Sequence, residues 1–276
     1  MEREVYPLAG PTAGGKTAAA AILARRMGAA VLSADSMLVY RGMDLGTAKP
    51  TAEEREGYPL GGIDLVDPSE DFSAGAWLRA AASFVSGLPE GMPIIVAGGT
   101  GLYFSALLRG LDREWTDPPP EYPVIDVPRD VLRVRAAARI EGMFASGWVD
   151  EVRSLLARFP EWSRTARYAI GYAEIRERIL SDGAPAPHGS AEWDAVKAKI
   201  LVRTMRLVKH QATWFRHQSR AIAVEGGPAE AVADRVESAW RAHGPWLATF
   251  PPADGAPGGT QARETRAVAG CGIGVV

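Results

Sequence analysis

Cysteine is all but missing from this 276-residue chain: Cys271 stands alone. A disulfide framework is therefore excluded, which suits a reducing compartment, and a cytoplasmic protein is expected. Long apolar runs are missing too. No stretch approaches the ~20 residues needed to span a bilayer. The opening MEREVYPLAGPT lacks the basic-then-apolar layout of an export signal, so no membrane partner is expected. Nor does charge of one sign dominate, with 31 Lys and Arg against 33 Asp and Glu. A wholesale polyanion binder would be more basic, so any contact with nucleic acid must come from a local patch. There is no internal repeat. The length and the ordinary apolar content fit one large domain, or a core with a small appendage, and a monomer is expected.

What is present alternates. Val5–Leu8 is a short apolar run ending near glycine, and Lys16–Met27 is Ala-rich with high helix propensity. Ala30–Ser33 reads as a second strand. Ile94–Ala97, bounded by Pro93 and Gly98-Gly99, reads as a third, and Pro123–Val127 as a fourth. Strands alternating with helices predict an α/β fold, a parallel sheet with helices on both faces. Residues 1–115 form this core, and 116–128 are a Pro-rich linker (TDPPPEYP). Residues 129–250 are expected to be largely helical, with helical periodicity over Arg129–Ala145, Trp148–Phe159, Ala166–Leu180 and Ala191–Gln218. Ala184–Ser190 is a Pro/Gly loop. Residues 251–276, rich in Gly, Ala and Pro without period, read as a disordered tail.

Gly10-Pro-Thr-Ala-Gly-Gly-Lys-Thr17 fits G-x-x-x-x-G-K-[ST] without a mismatch and lies between a predicted strand and a predicted helix. Glycines let such a backbone curl into a nest of N–H groups facing phosphate oxygens, and the helix adds its positive end. Gly10, Thr12, Ala13, Gly14, Gly15, Lys16 and Thr17 are thus the candidate diphosphate cradle. Lys16 supplies a point charge, and the Thr17 hydroxyl is the candidate ligand for Mg²⁺. The motif indicates a diphosphate or nucleotide and leaves the reaction open.

Two further segments narrow it: SADSMLVYRGMDLGTAKP at Ser33–Pro50 and AGGTGLYF at Ala97–Phe104. With GPTAGGKT before them, and AIGYAE (Ala169–Glu174) and QATWFR (Gln211–Arg216) after, the chain resembles the tRNA dimethylallyltransferases from roughly Leu8 to Arg220. The resemblance implies a P-loop NTPase-like core that holds dimethylallyl diphosphate and presents its C1 to adenine N6. That nitrogen is a weak nucleophile, so a carboxylate must take its proton as the new bond forms. The resemblance gives this task to Asp35, although an Asp after a strand also caps turns. It puts Thr100, in a Gly-Gly-Thr-Gly turn, at the reacting centre; the same residue could cap the helix starting near Leu102. Ser36, Met37 and Leu38 are expected beside the acceptor with Asp35 and Thr100.

Lys197–Arg220 holds seven Lys and Arg and two His with no acidic residue. Leu201, Met205, Val208, Ala212 and Phe215 form an apolar stripe on the expected helix. Lys199, Arg203, Arg206, His210 and His217 fall on another face, either solvated or turned to phosphates. The resemblance implies an arginine on the diphosphate from this helix, at the position of Met205 here, so Arg203 and Arg206 are the candidates. Between Leu111 and Val124 the family carries a helical insertion that grips the anticodon stem-loop; this chain has a dozen residues instead. The acceptor implied is therefore tRNA next to the anticodon, or alternatively free AMP, ADP or ATP. A small-molecule P-loop kinase would explain only Gly10–Thr17, and a non-catalytic RNA-binding module would not need Lys16, Thr17, Asp35 and Thr100 together.

Overall fold

The computed structural model describes residues 1–110, 121–182 and 191–252. Of the predicted loop at Thr116–Pro123, residues 116–120 lie outside the described residues, as do Ala184–Ser190 and the tail beyond 252. Glu121–Pro123 instead begin a strand, Glu121–Asp126, that takes up part of the expected 116–128 linker and starts two residues before the strand expected at Pro123. Strand β1 (Glu2–Ala9) is central. It pairs in parallel with β4 (Ile94–Gly98), from Val5 opposite Ile94 to Ala9 opposite Gly98. Next to β4 lies β2 (Ala30–Ala34), and beyond it the two-residue β3 (Leu60–Gly61). On the other side, Ala9 meets Val124 of β5 (Glu121–Asp126), which pairs along its whole length with β6 (Arg220–Glu225). The order is β3-β2-β4-β1-β5-β6, while β7 (Trp246–Thr249) runs antiparallel against the first half of β1.

Alternation along each strand feeds two cores. Leu8, Val31, Ile95 and Ile125 face α1 (Lys16–Met27) and α9 (Ala229–His243), meeting Leu23, Val232, Val236 and Trp240. Val5, Leu32, Ile94 and Val96 face the opposite way, onto Trp77 of α2 (Ala74–Ser86) and Phe104 of α3 (Gly101–Arg109). The sheet is thus covered on both faces, as the alternating elements predicted.

Several predicted elements need adjustment. The part after residue 129 also supplies strands β6 and β7 to the sheet. The helix expected over Ala166–Leu180 is divided into α6 (Arg164–Arg167) and α7 (Tyr172–Asp182). The break is Gly171, at φ 89°, whose amide donates to Glu174 Oε2 at 2.7 Å, an N-terminal cap for α7. A side chain on Gly171 would strike the buried Trp148 ring. By contrast α4 (Arg129–Ala145) and α8 (Ala191–Gln218) begin and end where periodicity put them, and α5 (Trp148–Arg158) is one residue shorter. Among the described residues no helix is long and apolar enough to cross a membrane.

Candidate active site

The ends of three adjacent strands, β2, β4 and β1, open at one edge of the sheet, the usual crevice of a parallel α/β fold. From β1 comes the Gly10–Thr17 loop. Ala13 sits at φ 64°, a conformation rare outside glycine, and Gly15 at φ 92° introduces α1. Gly14 donates its amide to the Pro11 carbonyl at 3.1 Å, and a Cβ there would lie 2.9 Å from that oxygen. The loop therefore closes only around glycine. Lys16 Nζ donates to the same carbonyl at 2.7 Å. Burial pushes the Lys16 ammonium down to about 8; Asp35 opposes this shift and Arg139 adds to it. Thr17 is exposed in the first turn of α1.

From β2 comes Asp35, half-buried, its Oδ1 accepting the Met37 amide at 2.8 Å in an Asx turn. From β4 comes Thr100. Its hydroxyl accepts the Ser36 amide at 2.9 Å and lies 3.3 Å from Ser36 Oγ. Thr100 stands at the N-cap of α3, but its hydroxyl makes no capping bond; it binds across to the Asp35–Ser36 turn. Its own amide donates to Ala34 O at 3.0 Å, holding β2 and β4 together at their tips. Met37 is half-buried, and Leu38 is buried at 9% exposure.

One residue here had no sequence signal. Arg139 of α4 reaches in beside Asp35 and Lys16, donating to Thr47 O at 3.1 Å. Burial lowers its affinity for its proton and the Asp35 charge restores part of it. Lys16, Arg139 and Asp35 leave this pocket with one net positive charge, the sign a diphosphate requires.

The two arginines read from the basic helix stand differently. Arg203 is bound by the buried Glu174 carboxylate and donates to Tyr168 O at 2.8 Å. Arg206 lies exposed on the outer face of α8, with Lys199, Lys209, His210, Arg216 and His217. The stripe on α8 also shifts: Ala212 is exposed and Gln211 turns inward between Val208 and Phe215. Gln211 Oε1 accepts the Thr12 amide at 2.8 Å, and its Nε2 donates to Gly99 O at 3.1 Å. A polar residue in an apolar stripe was the available signal. Among the described residues no cluster of three or more His, Cys, Asp or Glu could hold a metal ion.

The IPP transferase family model matches residues 38–124 and 114–218, and the isopentenyl transferase model matches residues 3–59. The chain belongs to the IPP transferase family. A tRNA dimethylallyltransferase of Anaeromyxobacter sp. (strain K) is 34% identical over 301 residues, covering 83% of this chain and 95% of the relative. That of Syntrophobacter fumaroxidans is 32% identical, covering 78% and 82%. The fold agrees with a tRNA delta(2)-isopentenylpyrophosphate transferase structure from Staphylococcus epidermidis, at TM-score 0.73 and 24% identity, covering 85% of this chain and 97% of that one. The two pieces of the family match overlap at residues 114–124.

Proposed function

We propose that this member of the family transfers a dimethylallyl group from dimethylallyl diphosphate to N6 of an adenosine in tRNA, next to the anticodon, releasing diphosphate. The observation carrying this reading is the convergence of a P-loop, a carboxylate and a threonine from three neighbouring strand tips, with a half-buried arginine reaching toward them from α4. The diphosphate lies in the Gly10–Thr17 nest, with Lys16 leaving the Pro11 carbonyl for a phosphate oxygen and Arg139 facing it from α4. Both cations act on charge that grows as the C1–O bond breaks. Asp35 takes the N6 proton while the N6–C1 bond forms; its Oδ1 is held by Met37, and Oδ2 has no hydrogen bond among the described residues. Thr100 keeps the Asp35–Ser36 turn against the P-loop side of the crevice. Ser36 and Met37 lie beside the acceptor, with Leu38 behind them.

Thr17, whose side chain is exposed in the first turn of α1 beside the cradle, is the residue that would hold a magnesium ion accompanying the diphosphate. When bound, the ion neutralises the leaving diphosphate. The exposed cations of α8, Arg206 and Lys209 among them, offer the acceptor a backbone contact.

The short segment at 111–124 favours a second acceptor, a free adenine nucleotide, because the part that grips an anticodon stem is missing there. Labelled dimethylallyl diphosphate supplied with total tRNA or with AMP separates the two. Label is expected in tRNA; label in AMP with none in any tRNA would give the second reading its place.

A further inference from the structure

The register of β1 with β4 ends at Ala9 and Gly98, and beyond these residues the two chains part to form the crevice. One leads to the Pro11–Thr12 peptide of the cradle, the other to the Gly99–Thr100 peptide of the acceptor end. Gln211 spans this gap from α8, accepting from Thr12 N and donating to Gly99 O. Its amide, with one acceptor and one donor spoken for, stands where the next rung of the ladder would be.

The consequences differ on the two sides. The N–H and C=O of a trans peptide point opposite ways. Anchoring the Thr12 N–H on Gln211 therefore aims the Pro11 carbonyl into the loop, where it receives Lys16 Nζ at 2.7 Å and Gly14 N at 3.1 Å. On the far side, the Gly99 carbonyl and the Thr100 amide are both held, the latter by Ala34 O at 3.0 Å. This fixes the Thr100 hydroxyl against Ser36 and thereby the Asp35 turn. The staple leaves no room for a larger residue opposite: a Cβ on Gly99 would stand 2.3 Å from Gln211 Nε2. Gln211 is buried, so water cannot readily replace either bond.

We propose that Gln211 is a positioning residue that sets the distance between the diphosphate cradle and the base that receives the acceptor's proton. It touches neither substrate and acts through Thr12 and Thr100. This rests on the reaction proposed above, in which those two ends must meet within one bond-forming geometry. A misplacement of about 1 Å between reacting groups costs on the order of 100-fold in rate.

The test uses the full chain with whichever acceptor the wild type modifies. Gln211→Met removes both bonds at similar size, and Gln211→Glu keeps the acceptor for Thr12 but sets oxygen against the Gly99 carbonyl. Gly99→Ala displaces the same amide from the other side and leaves Lys16, Asp35 and Thr100 untouched. All three should lower kcat by roughly 100-fold while the KM for dimethylallyl diphosphate moves less than about threefold. Should Gln211→Met fail to fold, the other two carry the measurement. A kcat within about threefold of wild type in the folded variants, or a loss accounted for by the unfolded fraction, overturns the proposal. If the wild type transfers to neither tRNA nor AMP, the reaction reading falls instead. The staple is then judged by hydrogen exchange at the Thr12 amide, protected in the wild type and exposed in Gln211→Met; equal exchange in both overturns it.

Discussion

Raising the pH from 7 to 9.5 should weaken binding of dimethylallyl diphosphate by about 30-fold, through the titration of Lys16. In the empty loop its ammonium loses its proton near 8, because burial outweighs the help of the Asp35 charge. About nine-tenths of free molecules carry the charge at pH 7 and about 3% at pH 9.5. A bound diphosphate, with its own last ionisation near 6, pulls the lysine back above the range studied. The ligand therefore selects the charged form, and binding takes up close to one proton at pH 9. The sign is that of a base whose affinity for its proton is depressed in the empty protein. Affinity is level below about pH 7.5 and falls tenfold per unit above about 8.5. Keeping the charge in the empty loop costs about 3 kcal/mol, from 2.5 units at 1.36 kcal/mol each, and the ligand relieves this cost. Titration calorimetry in two buffers of different ionisation enthalpy gives both the affinity and the proton count. Lys16→Ala should bind more weakly at pH 7 and lose the pH dependence. A wild-type affinity constant to within threefold across the range, or a proton released on binding, would refute the reasoning.

The remaining predictions concern the other charges. Asp35→Asn keeps the shape of the Asx turn and should lower turnover by roughly 10²–10⁴ without a comparable loss of donor affinity at pH 7, checked by single-turnover kinetics and calorimetry. Arg139→Met should weaken donor binding by about 10–100-fold, the range of about 1.5–3 kcal/mol for a hydrogen bond to a charged group. Arg203→Met should instead leave the buried Glu174 unpaired and cost about 2–3 kcal/mol of stability, less than a fully buried pair because Arg203 is partly exposed. Thermal unfolding and donor binding of these two arginine variants should move in opposite proportion. Charge reversal at Arg206 and Lys209 should raise the KM for tRNA more than that for the donor and reduce the salt slope of tRNA binding by about one unit per contact.

The parts of the structure legible in the sequence are those with local causes. Helix α1 spans Lys16–Met27 because Gly15 and Gly28 adopt left-handed backbone at its two ends. Strand β4 follows from its β-branched run Ile94–Val96, and β2 from the short apolar run Ala30–Leu32. The Gly10–Thr17 loop, Asp35 and Thr100 were readable because each sits at a strand end within a recognisable block. Strands β6 and β7 were not, since RAIAVE and WLAT are short, flanked by helices, and owe their state to pairing with β5 and with β1. Arg139 lies in a helix with many arginines, and nothing near it in sequence says that this one turns toward Asp35. Arg203 finds Glu174 on another helix, 29 residues away, so its pairing is equally invisible in a linear pattern. Gln211 is the intermediate case: its place in the apolar stripe marks it as inward, but its two partners come from distant strand ends.

The ladder between β1 and β7 has a practical side. Met1 N donates to Phe250 O at 2.9 Å, and Phe250 N donates to Met1 O at 2.8 Å. Residues 1 and 250 are thus neighbours on the side of the molecule remote from the crevice, since β1 runs from them toward the P-loop. A bridge of a few residues in place of 251–276 would join them, with new ends cut in the exposed turn at Glu53–Glu54, giving a circular permutant with the same sheet. Strand β1, which joins the two halves of the sheet, would then be held by covalent chain at both of its ends.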